Sequence, residues 1–212
     1  MKQLPITFPC GDIRLEGVWH FPEEIDTFPV VIVCHPHSLY GGSMSNDVVI
    51  TICQELAKQS IVAFRFNFRG VGKSEGAFGG GITEQEDVNA ALAVVPLTTC
   101  INPEKIGLSG YSFGVKVVLP VALSNAKVNL LALVSPPLTD VEWGQLNEYS
   151  KSKYFIIGGN DHLIAKNIFT HHINNVREPV QYEVVTEADH FWWGYEEEVA
   201  RKVTRFFSIG FD

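Results

Sequence analysis

The chain has 212 residues, of which 46% are hydrophobic and 19% are charged, and its formal net charge is −8. This composition excludes a disordered chain, and the acidic balance without any run of Lys and Arg predicts no surface for nucleic acid or anionic lipid. The sequence has neither the apolar core of a signal peptide nor an apolar window of membrane-spanning length, so we expect a cytoplasmic protein with no membrane partner.

The hydrophobic pattern changes character after the first part of the chain. Loose alternation around residues 6–8 and 13–19 predicts an antiparallel hairpin. After it come short β-branched runs, typical of strands that are buried on both faces of a parallel sheet. The runs cover residues 30–34, 61–66, 106–109, 130–134, 154–157 and 181–185, with helical patterns at 47–59, 83–95, 113–125, 165–176 and 195–207. This alternation predicts a doubly wound, mostly parallel α/β sheet, and residues 1–212 form a single predicted domain.

The pentapeptide Gly-x-Ser-x-Gly occurs twice, around Ser74 and around Ser112. Ser112 directly follows a predicted strand and directly precedes an apolar helix. That context defines a nucleophile elbow, a sharp turn that lifts the serine hydroxyl clear of the sheet. Ser74 is followed by a glycine-rich segment that cannot begin a helix, so it is predicted to be a loop residue. Ser112 is therefore the predicted nucleophile.

A serine nucleophile needs a base, usually histidine, and a carboxylate that orients the base. His190 follows the last predicted strand and precedes the last helix, which places it at the carboxyl edge of the sheet. Asp161 ends the preceding strand at the same edge and is the predicted acid, with Asp140 as the alternative. Asp189 is adjacent to His190 in sequence, and neighbouring side chains diverge. His162, beside Asp161, stays an alternative base.

The oxyanion formed by such a nucleophile needs two N–H donors. One is predicted to be the backbone of Phe113, the residue after the nucleophile. The other should come from the loop after the first parallel strand, where Pro36 cannot donate, so His37 is the candidate and Ser38 the alternative. His35 and His37 lie on one face of that segment, but no third ligand is near in sequence, so no metal site is predicted.

Three segments together resemble the α/β-hydrolase superfamily, and within it a group of small bacterial hydrolases. They are residues 35–42 (HPHSLYGG), residues 65–76 (RFNFRGVGKSEG) and the elbow at Ser112. The downstream order of Asp161 and His190 is also the order of that family's triad. The resemblance runs from about residue 14 to the end of the chain.

This resemblance implies an eight-stranded sheet, no cofactor, and acyl transfer from an ester-type substrate to water. It also supports His37 and Phe113 as oxyanion donors, although the family usually has Pro at the position of Ser38. A structural ion pair between Arg69 and Asp87 is a further implication.

Only about 19 residues separate the strand that ends at Val134 from the one that begins at Tyr154, which is too few for a lid domain. We therefore expect an open, shallow site. Five aromatic residues are expected either to set its acyl specificity or to pack in the core, and the sequence leaves both open: Phe113, Tyr40, Trp143, Phe191 and Trp192.

The leading functional hypothesis is hydrolysis of a carboxylic ester or thioester of a small-molecule acyl substrate. A peptidase or an acyltransferase on the same residues is the alternative enzyme, and a non-catalytic binding scaffold is the third possibility. The identity of the substrate and the oligomeric state are left open by the sequence.

Overall fold

The fold is built from strands and helices that alternate along the chain. The structure, a computed structural model, describes residues 1–24 and 26–212. The strands are β1 (Lys2–Cys10), β2 (Ile13–Phe21), β3 (Phe28–Cys34), β4 (Val62–Phe66), β5 (Ile101–Tyr111), β6 (Val128–Val134), β7 (Ser152–Gly158) and β8 (Val180–Val185). The helices are α1 (Asp47–Lys58), α2 (Glu84–Val94), α3 (Phe113–Ser124), α4 (Asp140–Glu148), α5 (Lys166–Ile173) and α6 (Glu196–Phe211).

The strands form one sheet of eight in the order β1-β2-β4-β3-β5-β6-β7-β8. β1 pairs with β2, and β2 with β4, in antiparallel fashion, whereas every pairing from β4 to β8 is parallel. The predicted fold, a mostly parallel eight-stranded sheet with an N-terminal antiparallel hairpin, is confirmed.

Apolar side chains on both faces of the central strands explain why the sheet is sandwiched between helices. In β3, Val31 and Val33 pack in a cluster with residues of α1 and α6. Their neighbours Val30 and Ile32 point to the opposite face, in a cluster with α2, α3, α4 and α5. Successive residues of a strand point to opposite faces, so a continuous β-branched run supplies both layers of the core.

Two elements differ from the sequence predictions. Strand β5 begins earlier than predicted. Its first half, which contains Pro103 and Glu104, was missed because only Ile101 in it is buried and it carries no apolar pattern. Helix α4 was missed because its sequence has little apolar periodicity. Its start is nevertheless marked by a capping box, which Thr139 and Glu142 form. The Glu142 carboxylate accepts hydrogen bonds from the N–H of Thr139 at 2.7 Å and from its hydroxyl at 2.8 Å.

The connection between β6 and β7 contains α4 and no other helix or strand, so it inserts no lid domain. The implied pair between Arg69 and Asp87 is present, with Arg69 Nε donating to Asp87 Oδ1 at 2.9 Å. Among the helices in the described part of the chain, none combines the length and the hydropathy needed to cross a membrane.

Candidate active site

Ser112 lies at the tight turn between β5 and α3. Its backbone has φ 53° and ψ −117°, a left-handed conformation that residues with a side chain rarely adopt. Its N–H donates to the carbonyl oxygen of Val134 at 2.9 Å, which ties the turn to the end of β6. Such local strain, of order 1–3 kcal/mol, persists only where the surrounding structure holds it.

The two glycines of the pentapeptide are required by close packing around this turn. A Cβ atom on Gly110 would lie 2.6 Å from the backbone of Gly114 and Val115. A Cβ atom on Gly114 would lie 2.5 Å from the carbonyl oxygen of Cys34, at the end of β3. The first turn of α3 can therefore approach β3 and β5 only if both positions are glycine.

Ser112, His190 and Asp161 form a continuous chain of hydrogen bonds at the carboxyl edge of the sheet. Ser112 Oγ lies 2.9 Å from His190 Nε2, and His190 Nδ1 lies 2.8 Å from Asp161 Oδ2. Because a carboxylate faces Nδ1, the proton of a neutral imidazole belongs on Nδ1, and Nε2 is then free to accept the proton of the serine hydroxyl. His190 and Asp161 are both buried, whereas Ser112 is partly exposed.

Asp161 is itself held in place by the chain that follows it. Its Oδ1 accepts hydrogen bonds from the N–H groups of Leu163 at 2.8 Å and Ile164 at 2.9 Å. One carboxylate oxygen is thus used by the backbone and the other by His190. The alternative base, His162, has an exposed side chain.

Asp189 has a different role from Asp161, although it is adjacent to His190. Its Oδ1 accepts from the N–H groups of Phe191 at 2.9 Å and Trp192 at 2.8 Å, which closes the turn that carries His190. Asp140, the other alternative acid, begins α4, and its side chain lies outside the described part of the structure.

The backbone N–H groups around Ser112 are available to a ligand. Phe113 is the first residue of α3, so its N–H has no acceptor within the helix. In the described structure, the N–H of His37 also has no hydrogen-bond acceptor. His37 lines the cavity beside Ser112, and Ser38 is not among the described residues that line it. Of the two candidate donors from this loop, His37 is therefore the one that lines the cavity.

His35 supports the loop that carries His37. It is fully buried, and burial lowers the pKa of its imidazole from 6.5 to about 4, so the ring is neutral. Its Nδ1 donates to the carbonyl oxygen of Pro36 at 2.7 Å, and its Nε2 accepts from the N–H of Phe68 at 3.1 Å. Both ring nitrogens are occupied, so His35 has a structural role.

Two residues at the end of β4, whose role the sequence did not reveal, also position this loop. Asn67 Oδ1 accepts from the N–H of Met44 at 2.7 Å, and Arg65 Nη1 donates to the carbonyl oxygen of Met44 at 2.8 Å. The sequence did contain one indication of this role, because Arg65 lies inside an otherwise apolar strand. A buried cation needs specific hydrogen-bond partners, and here the partner is the carbonyl oxygen of Met44.

A cavity of about 410 Å³ opens beside the serine hydroxyl. No Asp, Glu, Lys or Arg is among the described residues that line it. Those residues are Pro36, His37, Tyr40, Gly41, Gly42, Asn46, Tyr111, Ser112, Leu163, His190 and Phe191.

The five aromatic residues expected to set specificity divide into two groups. Tyr40 and Phe191 line the cavity and are exposed. Trp143 is buried, and its ring stacks on those of Phe155 and His172. Trp143, Phe113 and Trp192 pack in the core, which is the alternative that the sequence left open for them.

The second pentapeptide serine, Ser74, is a buried loop residue, as predicted. Its hydroxyl donates to the carbonyl oxygen of Asn67 at 2.7 Å and accepts from the N–H of Glu16 at 3.1 Å. Within the described residues, no group of three or more His, Cys, Asp or Glu side chains could hold a metal ion.

The fold and this arrangement at its strand ends define an α/β-hydrolase. The chain is 31% identical to an alpha-beta serine hydrolase homologue from Coxiella burnetii, with a TM-score of 0.86 and 97% of each chain covered. A serine hydrolase without a lid from Xanthomonas campestris has the same fold, with a TM-score of 0.80, 24% identity, and 97% of this chain and 94% of that chain covered.

An uncharacterized protein from Rickettsia prowazekii is 27% identical over 211 residues, which is 96% of this chain and 87% of that protein. No family model matches the chain. The identity to the Coxiella protein over nearly the whole of both chains shows that this chain belongs to the α/β serine hydrolase family.

Proposed function

We propose that this protein is a serine hydrolase that cleaves a carboxylic ester or thioester through an acyl-enzyme on Ser112. The observation that carries the proposal is the hydrogen-bonded chain from Ser112 Oγ to His190 Nε2 and from His190 Nδ1 to Asp161, beside an open cavity. A serine hydroxyl is a weak nucleophile on its own, and this arrangement is the one that activates it.

In the proposed acylation step, Ser112 Oγ attacks the carbonyl carbon of the substrate while His190 Nε2 takes the hydroxyl proton. The carbonyl π electrons move onto oxygen, and the N–H groups of Phe113 and His37 bind the resulting oxyanion. The intermediate then collapses, and His190 returns the proton to the departing alcohol or thiol.

In the proposed deacylation step, a water molecule attacks the acyl-Ser112 ester. His190 takes a proton from that water and then gives it to Ser112 Oγ as the carboxylic acid leaves. Asp161 holds the imidazole in the required tautomer and stabilises the imidazolium that forms in both steps.

Two features favour hydrolysis over an acyltransferase or a non-catalytic scaffold. A non-catalytic scaffold has no need for a strained serine backbone or for a buried carboxylate aimed at a histidine, each of which costs folding free energy. The absence of a lid domain in the described connection between β6 and β7 leaves an acyl-Ser112 intermediate open to water, which favours a hydrolase over an acyltransferase.

The test is covalent labelling with an alkyl fluorophosphonate, combined with turnover of simple esters and thioesters. We expect the wild-type protein to be labelled at Ser112 and Ser112→Ala not to be labelled. Ser74→Ala is the matched control, because Ser74 occupies the same pentapeptide but lies buried in a loop, and it should be labelled as the wild type is. Labelling of Ser112→Ala at the wild-type rate would contradict the proposal.

A further inference from the structure

The mouth of the cavity is bordered by large apolar side chains that are exposed to solvent. Tyr40, which lines the cavity, is 86% exposed and has its ring 4.7 Å from that of His37. Leu163 and Phe191 also line it and are 68% and 52% exposed, and Trp193, whose ring stacks on Phe191, is 74% exposed. We call Tyr40 and His37 the loop wall, and Leu163, Phe191 and Trp193 the histidine wall. Exposed apolar patches of this kind mark binding surfaces.

The two aromatic rings of the histidine wall lie next to the proposed base. The ring of Phe191 lies 5.7 Å from the ring of His190, and the ring of Trp193 stacks on Phe191 at 5.3 Å with 23° between the planes. Leu163 lines the same cavity as His190 and Phe191. Apolar side chains therefore lie beside the ring of His190.

The direction of proton transfer determines whether the alcohol part or the acyl part of an ester contacts the histidine wall. His190 must protonate the leaving group, so the leaving oxygen or sulfur has to lie within hydrogen-bond reach of Nε2. The alcohol part of an ester is then on the side of Phe191 and Trp193. The acyl part then extends away from His190, and Tyr40 and His37, which line the same cavity, are left to contact it.

The charges around the cavity restrict the substrate further. No cationic Lys or Arg is among the described residues that line the cavity, and the net charge of the chain is −8. An anionic leaving group, such as a thiol that carries phosphates, would lose water without gaining a counter-charge.

We propose, on the basis of the proposed function, that the substrate is an uncharged ester whose leaving alcohol carries an aromatic group. That group stacks on Phe191 and Trp193, and the acyl group contacts Tyr40. The histidine wall thus determines selectivity for the alcohol, and the loop wall determines selectivity for the acyl group. Aromatic pairs gain free energy beyond their buried area, which favours a ring over an alkyl chain at this wall.

The experiment uses two ester series with alcohols of similar basicity. In the alcohol series the acyl group is acetyl, and ethyl acetate is compared with 3-phenylpropyl acetate and with its 4-carboxyphenyl analogue. In the acyl series the alcohol is methanol, and methyl acetate is compared with methyl 3-phenylpropanoate. The selectivity ratio is kcat/KM for the larger ester divided by that for the smaller ester.

We expect the wild type to prefer 3-phenylpropyl acetate over ethyl acetate, and over the carboxylate analogue, by about tenfold or more. Phe191→Ala should lower the selectivity ratio of the alcohol series (the alcohol ratio) about tenfold and leave that of the acyl series (the acyl ratio) unchanged. Tyr40→Ala should lower the acyl ratio and leave the alcohol ratio unchanged. Phe191→Leu retains apolar area without the ring and should recover only part of the alcohol ratio. Ile209→Ala, which removes an exposed apolar side chain on α6, is the control and should keep both ratios.

Failure of this inference is distinguishable from failure of the proposed function. If fluorophosphonate labels Ser112 and esters are hydrolysed, but Phe191→Ala lowers both ratios equally or neither, the assignment of the two walls is overturned. Preference for the carboxylate analogue would overturn the requirement for an uncharged alcohol. Absence of labelling together with absence of ester turnover would instead remove the proposed function itself.

Discussion

The hydroxyl of Tyr111 donates a hydrogen bond of 2.9 Å to the backbone carbonyl oxygen of His190. Tyr111 is the last residue of β5 and directly precedes Ser112, so one side chain joins the turn that carries the serine to the turn that carries the histidine. The hydroxyl is buried, and burial raises the pKa of Tyr111, so it stays a donor over the physiological pH range.

Tyr111→Phe should therefore lower kcat about tenfold through displacement of His190, with little change in KM. It should also lower the free energy of unfolding by about 1–3 kcal/mol, since the carbonyl of His190 is left without its partner. Ester kinetics, the rate of fluorophosphonate labelling and urea unfolding measure these effects. A loss of stability with kcat and the labelling rate unchanged would show that Tyr111 acts only on folding.

Asp161→Asn should lower kcat by about 10⁴, because an amide beside Nδ1 no longer favours the tautomer in which Nε2 is the base. Asp189→Asn is the matched control. Its side-chain oxygen still accepts from the N–H groups of Phe191 and Trp192, so its kcat should change little. Steady-state ester hydrolysis by the two variants checks this, and a larger loss for Asp189→Asn would reverse the assignment of the two carboxylates.

Gly114→Ala should lower the free energy of unfolding by about 1–3 kcal/mol and should also lower activity, because its Cβ would lie 2.5 Å from the carbonyl oxygen of Cys34. Gly144→Ala is the control. Gly144 lies inside α4 with no atom within 4 Å of the added methyl group, so alanine should raise stability by about 0.5–1 kcal/mol. Urea unfolding of both variants provides the comparison, and equal effects would contradict the packing argument.

The folded protein should lose stability as the pH falls from 6.5 towards 4. The pKa of His35 is lowered from 6.5 to about 4 in the folded state, so in this window the unfolded chain binds the additional proton. Each such group makes the free energy of unfolding fall by up to about 1.4 kcal/mol per pH unit. His20, whose pKa burial also lowers to about 4, contributes in the same direction.

Urea unfolding of the wild type and of His35→Gln at pH 7, 6, 5 and 4.5 checks this expectation. Glutamine can donate to Pro36 and accept from Phe68 but does not titrate, so the slope should be smaller in the variant by the contribution of His35. The same slope in both proteins would show that His35 is not responsible.

Much of the fold could be read from the sequence because burial leaves a local pattern. Short β-branched runs predicted the parallel strands, and the hairpin and the elbow followed from turn residues next to such runs. Where that local pattern was weak, the prediction failed. In the first half of β5 only Ile101 is buried, and α4 has little apolar periodicity, so neither was predicted in full.

The sequence by itself determined which serine stands at a strand-to-helix turn, since the two copies of the pentapeptide differ in the residues beside them. Only the tertiary structure decided which carboxylate contacts His190, which tryptophans are buried and which side chains bind the backbone of Met44. Asp161 and Ser112 are 29 and 78 positions away from His190 along the chain. Contacts of that kind depend on loop conformation and side-chain direction, and hydrophobic periodicity contains no information about either.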